Sequence, residues 1–488
     1  MSLRITFYYE SYPYAQKIFR FFMKSFRLSN MEFLIYILKI LQEVVRMRKR
    51  LLAVLMTAVV ATSAFVGCSK DGSSNADIVT ELQEPVTIEM WHYMNGKQAE
   101  TLQEIVDDFN ATNDKGITVN AVGQGNIPDL NKKVITAGQS NTLPAIVNVY
   151  PDLATGLINE GKIVDLAPYI NDENVGMAED IKNDFVDAFI AELSQWGEGK
   201  VYGMPMTKST EVVYVNKTLL EKIGYKVEDL QNLTMEKLAE ISKKAYEELG
   251  IAGFGFDSSS NAFISALKMD GKNFVELDGT INVDNEWVRE FLKFFQEQTT
   301  KGYFRVAGED KFLSGPFSNQ KVLAYQGSSA GFAHIKTNDA FEIAVVEVPV
   351  FEGKDKAVIQ QGASLFVTNN VSVEQQYAAY EFMKFLTNAE NTAKFATSTG
   401  YLPVRKSAQE LPEVKALIED ETNLYGKIYN VAQEALNYAY YTPAVNNAQS
   451  ARTSAEEKYA AFVTGSITDV DTLITELLSE VETSINRQ

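Results

Sequence analysis

The stretch that decides the fold is VTIEMWHY at residues 86–93, an apolar and β-branched run of strand length. Behind it, four apolar residues recur at helical spacing on one face: Leu102, Ile105, Val106 and Phe109. Further strand-like runs follow at 117–122 and 145–150, with a segment of helical composition at 130–138 between them. Strand and helix therefore alternate, which predicts an α/β sheet with parallel strands and crossovers.

A second α/β region begins after the Pro-containing stretch 201–206. Its strongest elements are a helix at 235–249, a strand at 251–256 and a helix at 286–298. Strand patterns return at 321–325, 342–350 and 362–367, and the chain is mainly helical from residue 374 onward. A chain of 488 residues with 45% hydrophobic content can bury the cores of two such lobes.

The segment before the first strand has the pattern of a secreted lipoprotein. A basic run at 47–50 precedes an apolar stretch at 51–60, and small residues then lead to Cys68, the only cysteine in the sequence. This arrangement resembles a bacterial lipobox, in which the Cys68 thiol receives a diacylglycerol and becomes the mature N-terminus. We therefore expect a signal peptide at 47–67 and a flexible tether at 68–83, with the protein anchored on the extracytoplasmic face of the cell membrane. The alternative is a buried free cysteine.

Residues 1–46 stand in front of this complete targeting signal. Because a second targeting segment upstream of the first has no evident use, we interpret them as an extension from a misassigned start, with Met47 as the true start. An N-terminal anchor helix built around the apolar run 33–38 is the alternative.

The charge of the chain limits its partners. The formal net charge is −19, and loss of residues 1–67, which hold ten Lys/Arg and three Asp/Glu, would change it to about −26. A surface this acidic repels nucleic acid and anionic lipid headgroups. An anionic ligand would therefore need a local positive site.

A set of short motifs carries a resemblance to a known family. In chain order they are WHYM at 91–94, FNAT at 109–112, VYVNK at 213–217, GSSAG at 327–331, QGASLFV at 361–367 and TGYLPVRK at 399–406. In this order they resemble the family 1 extracellular solute-binding proteins of ABC importers, and most of all the glycerol-3-phosphate-binding members. The resemblance extends from about residue 84 to about residue 475.

The resemblance implies a two-lobed periplasmic-binding-protein-like fold of type II, with the ligand in a cleft between lobes joined by crossover strands. Such a protein closes over its ligand by hinge motion and presents it to the ABC permease subunits, as a monomer without metal or cofactor. The expected crossovers lie near 205–212, 314–322 and 362–369. The expected lobes are 84–206 plus 321–362 for lobe 1, and 207–320 plus 363–488, with the C-terminal helices, for lobe 2.

The same resemblance suggests ligand-binding residues. Arg452 stands where the family has its phosphate-contacting arginine, and a guanidinium suits bidentate phosphate recognition. Four more residues stand at matching positions: Ser209, Ser328, Gly362 and Tyr401. Asp152 takes the acidic role one place late, because Pro151 occupies the usual position. Ile127 and Met235 replace common aromatic residues, so the polyol end of the site is less well matched than the phosphate end.

Three classes of function are compatible with the sequence. The leading hypothesis is capture of glycerol-3-phosphate or a related phosphorylated polyol, and the alternative within the binding class is a mono- or oligosaccharide. An anchored hydrolase is a remote alternative, since the chain has two histidines outside any metal-ligand spacing and none of the common nucleotide-binding or nucleophile motifs. An adhesin or coreceptor would bind a protein partner instead. We therefore expect a binding protein and not an enzyme.

Overall fold

The computed structural model describes residues 78–336, 340–420 and 422–485. The expected upstream extension, signal peptide and lipidated Cys68 lie outside these residues, as does the first part of the tether. The strands are β1 Val86–His92, β2 Ile117–Gly123, β3 Ile146–Val149, β4 Gly203–Pro205, β5 Ser209–Asn216, β6 Phe254–Phe256, β7 Phe304–Val306, β8 Ala324–Ser328, β9 Ile343–Val346, β10 Val358–Gln361, β11 Ser364–Val367 and β12 Ala439–Tyr440.

Helices make up much of the rest of the chain. The α-helices are α1 Gly96–Thr112, α2 Ile127–Ser140, α3 Pro151–Asn159, α4 Ala167–Ile170, α5 Ala178–Asn183, α6 Asp187–Leu193, α7 Lys217–Lys222, α8 Met235–Leu249, α9 Ser259–Lys268, α10 Glu286–Thr300, α11 Ser314–Ser318, α12 Val373–Leu386, α13 Ala389–Thr399, α14 Pro412–Glu419, α15 Leu424–Ala435, α16 Ala448–Val463 and α17 Val470–Ile485. In the part of the chain that the structure describes, none of the helices combines the length and apolarity that crossing a membrane requires.

The first sheet is the central sheet of one lobe. Among the described residues it has five strands in the order β2-β1-β3-β11-β4. β1 pairs in parallel with β2, from Val86 opposite Ile117 to His92 opposite Gly123, and in parallel with β3. β11 inserts antiparallel between β3 and β4. The parallel α/β arrangement predicted from the first strands is therefore confirmed, with an antiparallel addition from later in the chain.

The second sheet forms the other lobe. Within the described ranges its strands run in the order β12-β10-β5-β8-β6-β7, and β9 pairs with β5 beside that path. β5 is antiparallel to β8, β9 and β10, whereas β6 is parallel to β7 and β8. Every residue of β5 is buried, including the polar side chains Ser209, Thr210, Glu211 and Asn216 that stand on either side of its apolar centre.

The later helices divide between the lobes. α12 packs against β1 and β11, and α13 packs against α1, so both belong to the first lobe. α16 packs against α9, α10 and α17, and α15 lies against β5 and β9, so the C-terminal helices belong to the second lobe.

The expected lobe boundaries need correction. Residues 321–362 contain β8, β9 and β10, which pair in the second sheet, whereas β11 and its helices α12 and α13 join the first. The region 314–322 holds α11 and the link from β7 to β8, and it connects two strands of one sheet. The chain crosses between sheets from β4 to β5 and from β10 to β11, and it returns to the second sheet between β11 and β12. A local apolar pattern does not reveal which sheet accepts a strand, because that choice depends on distant partners.

Capping residues explain where α7 and α8 begin and where α8, predicted correctly at 235–249, ends. The Thr234 hydroxyl accepts from the Lys237 N–H (3.1 Å) at the start of α8, and Gly250 ends the helix in the left-handed conformation at φ 69°. Asn216 caps α7 in the same way by accepting from the Leu219 N–H (2.9 Å). These signals are local, and for that reason the sequence shows them.

Gly362 lies in the second crossover and holds a conformation that other residues avoid. Its φ is +113°, and a Cβ built on it would lie 1.6 Å from the Thr207 carbonyl oxygen. The two crossover segments therefore approach each other more closely there than a side chain allows.

We predict that Gly362→Ala destabilises the fold by more than about 3 kcal/mol, because it adds a steric clash to the strain of a positive φ. The matched control is Gly353→Ala, whose φ is +74° but whose Cβ would meet nothing within 4 Å. That variant carries the backbone strain alone and should cost about 1 kcal/mol. Urea denaturation measures both free energies of unfolding, and equal losses would show that the close approach of the crossovers is not a constraint.

Candidate functional site

The candidate site lies at the edge of the first sheet that faces the second lobe. β1 and β3 are parallel, so their carboxyl ends share this edge, as binding edges of α/β sheets do. β3 ends at Val149, and α3 begins at Pro151, which places Asp152 in the first turn of the helix. Asp152 is buried there and points at Arg452 of the second lobe.

Arg452 and Asp152 connect the two lobes. Arg452 Nη2 donates to Asn261 Oδ1 (2.7 Å), and its Nη1 lies 3.7 Å from Asp152 Oδ2. The side chains of Arg452 and Asp152 are 16% and 3% exposed. Arg452 Nε and Asp152 Oδ2 are buried without a hydrogen-bond partner in the described structure. The pair thus joins the lobes and keeps a donor and an acceptor that a bound solute can use.

Glu211 extends this polar network toward the crossovers. Its two carboxylate oxygens accept from Asn261 Nδ2 and Gln326 Nε2, each at 2.7 Å. Gln361 Nε2 approaches the first oxygen at 3.4 Å. Burial raises the pKa of Glu211, while the two amide donors and Arg452 act in the opposite direction. Glu211 was not among the residues expected from the sequence, although a lone carboxylate beside the apolar run Val212–Val215 was a usable signal.

Ser209 and Ser328 meet, as their shared assignment to the site requires. Ser328 Oγ donates to Ser209 Oγ (3.1 Å), and Ser209 Oγ donates to Gln361 Oε1 (3.4 Å). Since Gln361 also reaches Glu211, both serines belong to the network that begins at Arg452.

Tyr401 joins the site from the side of the first lobe. Its hydroxyl lies 3.2 Å from the hydroxyl of Tyr93, which donates to Thr207 Oγ1 (3.0 Å). Burial raises the pKa of Tyr93 and of Tyr401, so both remain neutral donors at physiological pH. The Tyr401 ring stacks on Phe395 with ring centroids 5.8 Å apart, so the residue also has a packing role.

The other expected positions lie differently. Gly362, expected to bind the ligand, is packed on the main chain of Thr207. Ile127 is the first residue of α2, whose cap is the Asn126 side chain. Met235 is buried in the core of the second lobe, so its difference from the family does not alter the site.

The N-terminus of α9 is already occupied by a carboxylate. Glu456 accepts from the Ser259 N–H (3.0 Å), from the Ser260 N–H and, at 3.3 Å, from the Ser258 hydroxyl. A helix N-terminus attracts anions, but here the protein supplies its own. Glu456 follows Arg452 by one helical turn and adds to the acidic surroundings of the guanidinium.

His92 is buried at the end of β1. Its Nδ1 accepts from the Met94 N–H (3.1 Å), and burial lowers the pKa of His92 to about 4. The ring is therefore neutral at physiological pH, and it fixes the main chain at the end of β1. No cluster of three or more metal-ligating side chains was found among the residues that the structure describes.

Comparisons with known proteins fit this geometry. Residues 104–422 match the family model for bacterial extracellular solute-binding proteins. The sn-glycerol-3-phosphate-binding periplasmic protein UgpB of Pectobacterium atrosepticum is 25% identical over 352 residues, which are 69% of this chain and 77% of that protein. UgpB of Rhizobium meliloti is 26% identical over 343 residues, 68% of this chain and 78% of that protein.

Solved structures also resemble the chain. UgpB from Mycobacterium tuberculosis, in complex with glycerophosphocholine, has a TM-score of 0.71 at 19% identity and covers 83% of this chain and 100% of its own. The GacH receptor of Streptomyces glaucescens, solved unliganded and with acarbose, has a TM-score of 0.69 at 19% identity and covers 83% and 99%. At these identities the likeness concerns the fold, and it confirms the two-lobed type II class predicted from the sequence.

Asp257 is a further carboxyl group near the network, and it is half-buried. It follows β6, and its Oδ1 accepts from the Leu313 N–H (2.5 Å). Burial raises the pKa of Asp257 to about 7, and the nearby Glu211 adds to the effect. Because the folded-state pKa lies above the ordinary value of 3.8, the contribution of this group to stability is full at low pH and is lost as the pH rises through 7.

We predict that Asp257→Asn stabilises the protein at pH 8, by a few kcal/mol at most, and that the gain shrinks as the pH falls from 7 toward 4. The amide keeps the acceptor for the Leu313 N–H but carries no charge. Asp278→Asn is the control of opposite sign, because hydrogen bonds from Thr280 lower the pKa of that exposed carboxyl group. Urea denaturation at a series of pH values gives both profiles, and a pH-independent effect at Asp257 would contradict this assignment.

Proposed function

We propose a function for this chain, which belongs to the bacterial extracellular solute-binding proteins. It captures a neutral, hydroxyl-rich solute for an ABC importer. The solute is a mono- or oligosaccharide. The observation that carries this proposal is the charge around Arg452. The guanidinium has Asp152 on one side and the Asn261–Glu211 pair on the other.

A neutral polyol suits such surroundings better than a phosphate ester. A phosphate monoester carries about two negative charges near neutral pH. In the cleft it would meet Asp152 and Glu211 in a partly buried setting, where repulsion between like charges is strong. A sugar hydroxyl donates to a carboxylate and accepts from a guanidinium or an amide at the same time. It therefore uses both kinds of group without adding charge.

The remaining polar groups of the site match hydroxyl recognition. Amide, hydroxyl and phenol groups from both lobes and from the crossovers hydrogen-bond in the networks around Arg452 and Tyr401: Asn261, Gln326, Gln361, Ser209, Ser328, Tyr93 and Tyr401. A small number of fixed polar groups gives orientation and specificity to a small-molecule site.

Contacts between the lobes support capture by closure. Besides Arg452 and Asp152, Asn159 Nδ2 donates to Asn446 Oδ1 (2.7 Å), and the Ala444 N–H donates to Gln195 Oε1 (2.8 Å). A solute that bridges the lobes binds the closed state more tightly and shifts the population toward it. This mechanism needs no covalent step, and we propose that the protein is not an enzyme.

A phosphorylated polyol such as glycerol-3-phosphate is the second candidate. The unpaired Nε of Arg452 favours it, as do the relatives named glycerol-3-phosphate-binding proteins. In that case the guanidinium would move away from Asp152 and donate two hydrogen bonds to the phosphate.

The setting of the protein follows from the same proposal. A diacylglycerol on Cys68 would hold it at the outer face of the membrane, and the tether would let the lobes reach the ABC permease subunits. We propose that it works there as a monomer. Its acidic surface gives it no affinity for nucleic acid.

A solute screen tests the proposed ligand class. We expect maltotriose or another neutral saccharide to raise the unfolding temperature of the protein with increasing concentration, more strongly than glycerol-3-phosphate or glycerophosphocholine does. Binding to the folded state alone stabilises it by about 2.7 kcal/mol at 100 times Kd. A response to the phosphate esters without one to saccharides would establish the second candidate. No response to any saccharide, polyol or phosphate ester would reject solute capture.

We predict that Asp152→Asn reverses part of this preference. Removal of the carboxylate leaves the positive charge of Arg452 without its partner, so the affinity for glycerol-3-phosphate should rise about tenfold. A neutral saccharide loses a charge-assisted hydrogen bond to Asp152 and should bind about tenfold more weakly. Asp107→Asn is the control, since it removes the same charge from an exposed position on α1. Isothermal titration calorimetry compares the three proteins. If the two variants behave alike, Asp152 does not set the ligand charge.

A further inference from the structure

A buried ion pair lies at the crossovers, apart from the Arg452 network. Lys208 Nζ is 2.5 Å from Glu192 Oε2, and the two side chains are 0% and 6% exposed. Lys208 stands between β4 and β5, in the first crossover, whereas Glu192 belongs to α6 of the first lobe. Completely buried lysines are rare, so this one needs an explanation.

The same carboxylate also holds the second crossover. Gln360 Nε2, near the end of β10, donates to Glu192 Oε2 (2.9 Å). Lys208 Nζ in turn donates to the Gly362 carbonyl oxygen (3.3 Å). One side chain of the first lobe therefore reaches the segments between β4 and β5 and between β10 and β11, which are two of the three places where the chain passes between the lobes.

Stability alone does not account for this arrangement. Removing two charges from water is costly, and a well-packed apolar pair of similar volume often stabilises a protein as well or better. What an ion pair adds is direction, because its hydrogen bonds are satisfied only in one geometry of Lys208, Gln360 and Glu192. A geometric role at the hinge is consistent with that property.

The helix that carries Glu192 also touches the second lobe. Gln195, just beyond the end of α6, accepts from the Ala444 N–H (2.8 Å). The segment from Glu192 to Gln195 thus contacts the second lobe at Gln360 and again at Ala444. A small change in the orientation of the crossovers at Glu192 would therefore change the position of Gln195 relative to Ala444, where the lobes are in contact.

We propose that Glu192 is a positioning residue for lobe closure, which ties both crossovers to the first lobe and so sets the angle at which the second lobe closes. The inference rests on the proposed capture of a solute between the lobes. Glu192 does not need to touch the solute, since it acts through Lys208 and Gln360.

The test is the double variant Glu192→Leu with Lys208→Met, which replaces the ion pair with apolar side chains. We expect an unfolding temperature close to that of the wild type. Hydrogen exchange of the main chain at 205–210 and 359–364 should become about tenfold faster. Small-angle scattering of the solute-free protein should show an altered radius of gyration, and the affinity for maltotriose should fall about tenfold.

The matched control is Lys354→Met with Asp270→Leu. It removes an ion pair of the second lobe that lies away from the crossovers. Lys354 Nζ is 2.6 Å from Asp270 Oδ1, and the two side chains are 25% and 24% exposed. This variant should leave scattering, crossover exchange and affinity unchanged. If the Glu192 and Lys208 double variant also leaves all three unchanged, the inference is wrong.

A second variant provides the test if the double variant does not fold. Gln360→Leu removes the hydrogen bond between Gln360 and Glu192 and keeps the ion pair between Lys208 and Glu192. Hydrogen exchange should therefore accelerate at 359–364 but not at 205–210. Unchanged exchange in both segments would overturn the proposal. Scattering and exchange need no solute, so they test Glu192 even if the wild type binds neither saccharides nor phosphate esters and the proposed function fails.

Discussion

The pairing of the two crossover segments is the constraint on which the rest of the structure depends. β4 lies beside β11 in the first sheet, and β5 lies beside β10 in the second. Between them, the Thr207 N–H donates to the Ala363 carbonyl oxygen (3.2 Å), so the ladder continues from one sheet to the other. The lobes are therefore joined by a hydrogen-bonded ribbon and not by loose linkers, and their relative motion has to bend that ribbon as one piece.

The ribbon also brings the binding groups together. Ser209, Glu211 and Gln361 come from strands that begin or end at the crossovers, so their side chains reach the cleft from its base. The two lobes then add one group each, Asp152 and Arg452, which meet across the opening. These side chains form one polar network that links the crossovers to both lobes.

Much of the fold could be predicted because its signals are local. α8 has its cap at Thr234 and its terminator at Gly250, and β1 shows its apolar run in a single short stretch. The sheet that accepts β8 or β11 could not be predicted, since each strand would bury its apolar residues equally well in either lobe. Of the expected site residues, Arg452 and Asp152 do meet, and so do Ser209 and Ser328. Glu211, Glu192 and Lys208 were missed because their hydrogen-bond partners lie on other elements, between 16 and 168 positions away, and only the packing of those elements shows the pairs.

The sequence by itself determined the class of the protein. Alternating strand and helix patterns, with short motifs in family order, are properties of local stretches and survive without any knowledge of packing. Only the tertiary structure decided what surrounds the guanidinium of Arg452. Electrostatic preference depends on distance and burial, and the carboxylates of Asp152 and Glu211 stand 300 and 241 positions before Arg452 in the chain. The fold alone brings these charges within reach of one another, and the proposed preference for a neutral solute depends on them.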